Sequence, residues 1–267
     1  MSKQLARTKR ISVYNMIRQI YKINCATDIG RFRENNEDSV LVDERLSIVV
    51  LADGMGGHNA GEVASELTTT NLIHKLSDWL ETSKNQTIAK NIKKAIGRFI
   101  NQTSEVIYCN SLENFHRRGM GATVVVGVFR ERKLTIAHVG DSRAYLLRRG
   151  ELKLLTRDHS KIQEKIDEGI ITPEQALVSI DRNVLTRAVG TSPFVDADYC
   201  QFQLEVNDRV LICSDGLSDM LSESVIKEIL IKDESPSSLC AYFIHRANQA
   251  GGKDNISLAL CFVVEGD

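Results

Sequence analysis

Short apolar runs that end in Asp or Gly alternate along this chain with longer stretches of helical period. Leu46 to Ala52 is an uninterrupted apolar segment apart from Ser47, of strand length, and it ends in Asp53-Gly54-Met55-Gly56-Gly57-His58. Ile23 to Thr27 alternates as a first strand would, and Val40-Leu41-Val42 follows a polar stretch, Arg31 to Ser39. Asn59-Ala60-Gly61-Glu62 fits a capping box and predicts a helix to about Glu81. Ile88, Ile92, Ala95, Ile96, Phe99, Ile100, Val106 and Ile107 predict a second helix, from about Gln86 to Cys109. Both read as core helices, with His74 a structural residue in the first.

Gly121–Phe129, Lys133–Val139, Arg143–Arg148 and Glu151–Leu155 are rich in Val, Ile, Leu and Tyr, with short turns between them. This predicts an antiparallel meander. Residues 156–198 break the pattern. Asp158 to Glu168 looks helical, Thr172-Pro173-Glu174 is a helix start, and Arg182 to Val189 reads as a further helical patch. The segment is too polar for core and sits between strands, as a lid or substrate flap would. Strands Tyr199–Glu205 and Asp208–Cys213, helices Ser222–Ile231 and Pro236–Ala250, and a last strand Ile256–Val264 complete the chain. The order predicts two packed sheets with helices outside.

Composition changes this picture little. With 267 residues and 42% hydrophobic content, one domain with a substantial core is expected. The formal net charge of -1 gives no global field for nucleic acid. The six cysteines show no CxxC pairing and read as reduced, mostly core thiols, which points to a cytoplasmic protein. No apolar stretch is long enough to span a bilayer. Residues 1–22 are distinct, with Lys3, Arg7, Lys9, Arg10, Arg18 and Lys22 and no acid. They read as a basic extension packed on the domain or partly disordered. A membrane-surface or partner contact is the sharper alternative. An organelle transit peptide is disfavoured. The domain proper is placed at 23–267.

Asp38, Asp53, Asp215 and Asp254 each stand at the end of an apolar strand. Carboxylates gathered at one end of a β core repel one another, and hard divalent cations such as Mg²⁺ or Mn²⁺ relieve this. No His or Cys spacing typical of zinc competes. Two such ions can share a hydroxide nucleophile and clamp a phosphoryl oxygen. Arg33 supplies the planar fork that a phosphate wants.

The motifs Arg33-x-x-Asn36-Glu37-Asp38, Ala52-Asp53-Gly54-Met55-Gly56-Gly57-His58, Gly119-Met120-Gly121-Ala122-Thr123, His138-Val139-Gly140-Asp141-Ser142-Arg143, Cys213-Ser214-Asp215-Gly216-Leu217 and Gly252-Lys253-Asp254-Asn255 occur in this order. Through them the chain resembles the metal-dependent PP2C-type (PPM) serine/threonine protein phosphatases, in their compact bacterial branch. Arg182 to Arg187 is similar to that family's flap segment.

The resemblance implies an α+β fold, an α/β/β/α sandwich of two mainly antiparallel sheets, and metal-dependent hydrolysis of phosphoserine and phosphothreonine in proteins. It implies that Asp53 and the Gly54 carbonyl bind metal, with Asp53 bridging two Mn²⁺ or Mg²⁺ ions and sharing the catalytic role with Asp215. Asp38 joins one ion, Glu37 helps through water, and Asp215 and Asp254 complete the other. Arg33 binds the substrate phosphate. Asp141 holds, with Asp215, a weaker third ion. From the residues alone, Asp141 caps its turn or pairs with Arg143. Phosphoprotein substrates, a cognate Ser/Thr kinase, a monomeric state and neither nucleic acid nor a membrane span are the implied partners and setting. The chain departs from family patterns in Met55, where animal members carry an acidic-proton-donating His, in Ala122, and in Val178-Ser179-Ile180-Asp181 in place of a His-Pro pair.

Overall fold

The structure is a computed structural model that describes residues 20–56, 60–176, 179, 181 and 184–266. Most of the predicted basic extension, His58, Asn59 of the capping box and Arg182-Asn183 lie outside the described residues. Two antiparallel sheets stack face to face. One has the order β1 (Tyr21–Asp28), β11 (Ile256–Val263), β10 (Arg209–Cys213), β7 (Arg143–Arg148) and β8 (Glu151–Leu154). The other has β2 (Asp38–Asp43), β3 (Ile48–Met55), β5 (Val124–Arg130), β6 (Lys133–Val139) and β9 (Asp198–Gln203), with β4 (Gly121–Ala122) pairing β3.

The period of two along β3 shows why the layers form. Ile48, Val50 and Ala52 face the helices α1 (Ala60–Thr82) and α2 (Asn85–Glu113), packing with Leu72, Leu76, Ile96 and Ile100. Val49 and Leu51 face the other way, into the layer between the sheets with Ile23, Ile212 and Ala259. On the far side, Leu211, Cys213, Leu258 and Leu260 pack against α5 (Asp215–Ser218), α6 (Glu223–Leu230) and α7 (Pro236–Gln249). Strands buried on both faces must read as continuous apolar runs, so the chain folds as helices, sheet, sheet, helices. Ser222 and Ser235 cap α6 and α7, accepting from Val225 N and Ser238 N, and Pro236 occupies the first turn of α7.

Four expectations are corrected. The predicted meander is not one sheet: β5 pairs β6 and β7 pairs β8, but β6 and β7 lie in different sheets. Gly140-Asp141-Ser142 is therefore a passage between layers, because each strand's second neighbour is a distant segment, β9 for β6 and β10 for β7. The first strand begins at Tyr21, two positions inside the stretch assigned to the extension, because the Tyr21 ring is buried against Phe129. Residues 184–189 are not helical. They run extended, with bridges from Leu185 to Ser160 and from Val189 to Ala122. The 156–198 segment is not uniformly too polar for core, since Ala188, Val189 and Val195 are buried along with His159 and Ser160. Its ends are stitched into the sandwich. Between them lie α3 (Lys161–Asp167), capped by Ser160, and α4 (Pro173–Ala176).

Candidate active site

Five acidic side chains converge at one end of the paired sheets. Asp38 opens β2 and lies opposite Asp53 on β3. Asp215 begins α5 directly after β10, Asp254 precedes β11, and Asp141 sits in the passage between β6 and β7. Two sheets thus deliver carboxylates from strand ends that are far apart in sequence.

Gly54 shows how tightly this end is built. Its N–H donates to Glu37 O at 3.0 Å, and a Cβ there would meet Gly61 O at 2.1 Å. Only glycine permits that approach. Asn255 clamps the loop that carries Arg33: its Nδ2 donates to Ile29 O and Asn35 O, both at 2.9 Å, and its Oδ1 accepts from Glu37 N at 2.8 Å. Ser214 Oγ donates to Asp38 Oδ2 at 2.7 Å, and Thr123 Oγ1 accepts from Asp53 N at 3.0 Å. The sequence reading gave Asn255, Ser214 and Thr123 no role, although each stands inside a quoted motif.

The electrostatics favour a cation. Burial, then repulsion from Asp38, Asp215 and Asp141, drives the Asp53 carboxyl well above the carboxylate range. Burial raises Asp38 to about 7 against the lowering hydrogen bond from Ser214, Asp141 to about 8 with Asp215 adding to it, and Asp215 to about 6 with Asp219 and Asp254 adding to it. Asp38 Oδ1 is buried and has no hydrogen-bond partner. Carboxylates held this way are suited to hard divalent ions with oxygen-rich shells. Glu37 is also raised, chiefly by burial.

Arg33 lies at the rim. Its guanidinium donates to Asp254 Oδ2 at 2.7 Å, and the two side chains are 49% and 36% exposed. Asp254 also raises the Arg33 pKa, so the charge is secure. Arg143 does not pair with Asp141. It forks onto Asp158, with Nε at 3.0 Å from Oδ1 and a terminal nitrogen at 2.6 Å from Oδ2. Beside Asp141 and Asp215 lies a depression of about 520 Å³, walled by Ile162, Ile166 and Ala176 of the 156–198 segment and by Met220.

One further cluster was not visible in residue spacing. His138, His159 and Asp198 bring three ligand-type atoms within 4.8 Å of one another, a grouping not seen at the carboxylates among the described residues. The fold, not residue spacing, assembles it: β6 and β9 pair His138 with Asp198, and the chain after β8 brings His159 against them.

The protein phosphatase 2C family pattern matches residues 33–259. The chain belongs to the protein phosphatase 2C family. By that membership it is an enzyme, a protein serine/threonine phosphatase. It is 39% identical over 238 residues to the serine/threonine phosphatase stp of Listeria monocytogenes, covering 88% of this chain and 92% of the relative. Its fold matches the Streptococcus agalactiae serine/threonine phosphatase with a TM-score of 0.84 at 35% identity, covering 92% of this chain and 100% of the other. The catalytic domain of the phosphatase PstP, solved in complex with two manganese ions, matches at TM-score 0.80 and 34% identity, over 92% of this chain and 99% of that one. Among the described residues no helix is long and apolar enough to cross a membrane.

Proposed function

We propose that this phosphatase hydrolyses phosphoserine and phosphothreonine in proteins with two Mn²⁺ or Mg²⁺ ions held by Asp38, Asp53, the Gly54 carbonyl, Asp215 and Asp254. The observation that carries the reading is the crowded, mutually repelling acid set around the buried Asp38, one of whose oxygens has no hydrogen-bond partner. When bound, such ions supply a hydroxide nucleophile at neutral pH and neutralise charge on the phosphoryl group. Asp53, which feels Asp38, Asp215 and Asp141 together, would be the shared ligand of the pair, and Glu37 would act through water. Asp141, not engaged by Arg143, is available with Asp215 for a weaker third ion.

Arg33 has a different task. Its half-exposed fork binds the phosphate and orients it. An arginine at an open rim suits a phosphorylated loop of a protein better than a small ester, which would call for a walled pocket. The segment 156–198 then acts as the flap that selects among phosphoproteins. The reaction removes, as inorganic phosphate, the group that a Ser/Thr kinase adds. The free cysteines, three of them buried, are in keeping with a protein working in the reducing cytoplasm. The basic stretch that precedes Tyr21 is read as an extension of the phosphatase domain.

Dephosphorylation of a phosphothreonine peptide with Mn²⁺, and then with EDTA, tests the reading. Activity with Mn²⁺ and its loss with EDTA are expected. Full activity of the chelated enzyme would remove the two-ion mechanism.

A further inference from the structure

Both polar backbone groups of Gly140 are bound by one residue. Gly140 N–H donates to His159 Nδ1 at 3.2 Å, and Gly140 O accepts from His159 N at 2.9 Å. Gly140 has φ +101°, and a Cβ there would meet Thr123 Cγ2 at 2.6 Å, so this passage has little freedom to adopt another shape. The next residue is Asp141. His159 is 2% exposed and its ring stacks on His138, with centroids 4.8 Å apart.

The same residue anchors the returning end of the flap. His159 O accepts from Thr186 N at 2.8 Å, and the neighbouring Lys161 N donates to Val184 O at 2.8 Å. His159 Nε2 lies 3.4 Å from Asp198 Oδ2, and Asp198 Oδ1 accepts from Arg187 Nη1 at 2.9 Å.

Hydrogen-bond chemistry fixes the proton. A ring nitrogen that accepts from a backbone N–H carries no proton, so neutral His159 is protonated at Nε2, facing Asp198. A protonated nitrogen has no lone pair for a cation. The His138–His159–Asp198 cluster in this arrangement is therefore not an ion site: the His159 Nε2–H faces the Asp198 carboxylate at 3.4 Å as an electrostatic contact that does not reach hydrogen-bond geometry. His138 is held separately, through Nε2 to Arg157 O at 2.9 Å.

We infer that His159 is a positioning residue, which in its Nε2–H form locks the Gly140-Asp141 passage to Arg187 and Asp198 at the C-terminal end of the flap. The inference rests on the reading of Asp141 as a residue that serves the metal site. It links the flap to the metal site through a buried side chain that touches neither substrate nor ion. Displacing Asp141 would weaken the third ion, as loss of a partner behind a ligand commonly lowers affinity or rate about tenfold or more.

Nitrogen-15 NMR of histidine-labelled parent enzyme tests the proton position without any substitution. An unprotonated Nδ1 and a protonated Nε2 at His159, unchanged by added Zn²⁺, are expected. A protonated Nδ1, or Zn²⁺ ligation at Nε2, overturns the inference. His159→Phe should keep the ring shape while removing both polar atoms. The Gly140 amide should then lose hydrogen-exchange protection. kcat should fall about tenfold with KM for an aryl phosphate nearly unchanged, and the Mn²⁺ requirement should rise at high metal. His159→Gln, which can accept and donate, should recover part of the loss. Adding His159→Phe to Asp141→Ala should cost nothing more, whereas a multiplied loss overturns the inference. If Asp141→Ala itself matches the parent in rate and metal response, the reading of Asp141 fails and takes this inference with it. If Asp141→Ala is impaired and His159→Phe is not, the inference alone fails.

Discussion

The floor and the rim of the active site use the same side chain, aspartate, in opposite ways. On the floor, Asp38 is buried and Asp53, Asp141 and Asp215 are half-buried, crowded against one another at strand ends and turns, and their carboxyls are pushed upward. At the rim, Asp254 is about a third exposed and already has Arg33 as counter-ion. Crowded acids with little counter-charge repel one another, and a cation relieves that repulsion. An exposed ion pair is worth about 1 kcal/mol or less and exchanges partners readily. The floor is therefore built to hold metal, and the rim to take up and release phosphate.

Breaking the floor should have the largest effect. Asp53→Ala and Asp215→Ala should lower kcat by about 10³-fold or more, since no other group replaces the lost metal binding. The loss should be the same on a phosphothreonine peptide and on an aryl phosphate, with circular dichroism unchanged. A variant with parental kcat would show that the floor does not hold the ions.

Breaking the rim should be milder and of a different kind. Arg33→Ala removes a charge-assisted contact to phosphate, about 1.5–3 kcal/mol, or roughly 10–100-fold in kcat/KM, mostly through KM. Arg33→Lys should recover part of it, keeping the charge but losing the fork. Unchanged kinetics for Arg33→Ala would sink the assignment of the rim.

Floor and rim were not equally legible in the sequence. Asp53 and Asp215 could be read because each ends an apolar run, and a strand end in such a sandwich faces one end of the molecule. The two layers were legible for the same reason, as β3 and β10 are apolar on both faces. The passage at Gly140 was not, because turn chemistry is local whereas the sheet that a strand joins is decided by distant partners: β10 beside β7, and β9 beside β6. The His138–His159–Asp198 assembly was hidden for the same reason. Leu185 and Val189 were misread as helical because apolar spacing there reflects bridges to Ser160 and Ala122, not a helix face. Asn255 was visible as part of a motif, but its clamp on residues 29–37 depends on a loop contact that no period encodes.

The depression beside the floor gives a smaller test. Ile162 and Ile166 of α3 line it with Met220, whereas no assigned metal ligand lies within 156–198. Ile166→Ser should change preference among phosphopeptides by about fivefold, some 1 kcal/mol of apolar contact, while aryl phosphate hydrolysis stays near parental. Equal losses on both substrates would make the flap a support for the metal site and not a selector.

The last test separates floor from rim by stability instead of rate. A carboxyl whose folded pKa is raised stabilises the fold below its unfolded value, near 4, and loses that contribution as pH rises through its folded value. For the metal-free floor those folded values are about 6 for Asp215, about 7 for Asp38 and about 8 for Asp141. In chelator, the melting temperature should therefore decline between about pH 5 and 8 through these groups, by roughly 2–4 °C for each kcal/mol lost. Mg²⁺ binds the deprotonated acids and offsets their repulsion, so the rise in melting temperature that it causes should grow over the same interval. Asp141→Asn, which removes the group titrating near 8, should flatten the upper part of the metal-free decline. Arg33→Ala should leave the decline nearly parental, because the rim pair is exposed. Differential scanning fluorimetry in chelator and in Mg²⁺, at pH 5.5 and pH 8, measures both slopes. An equal Mg²⁺ increment at the two pH values would mean that the floor carboxyls are already ionised without metal, and the contrast between floor and rim would then have another cause.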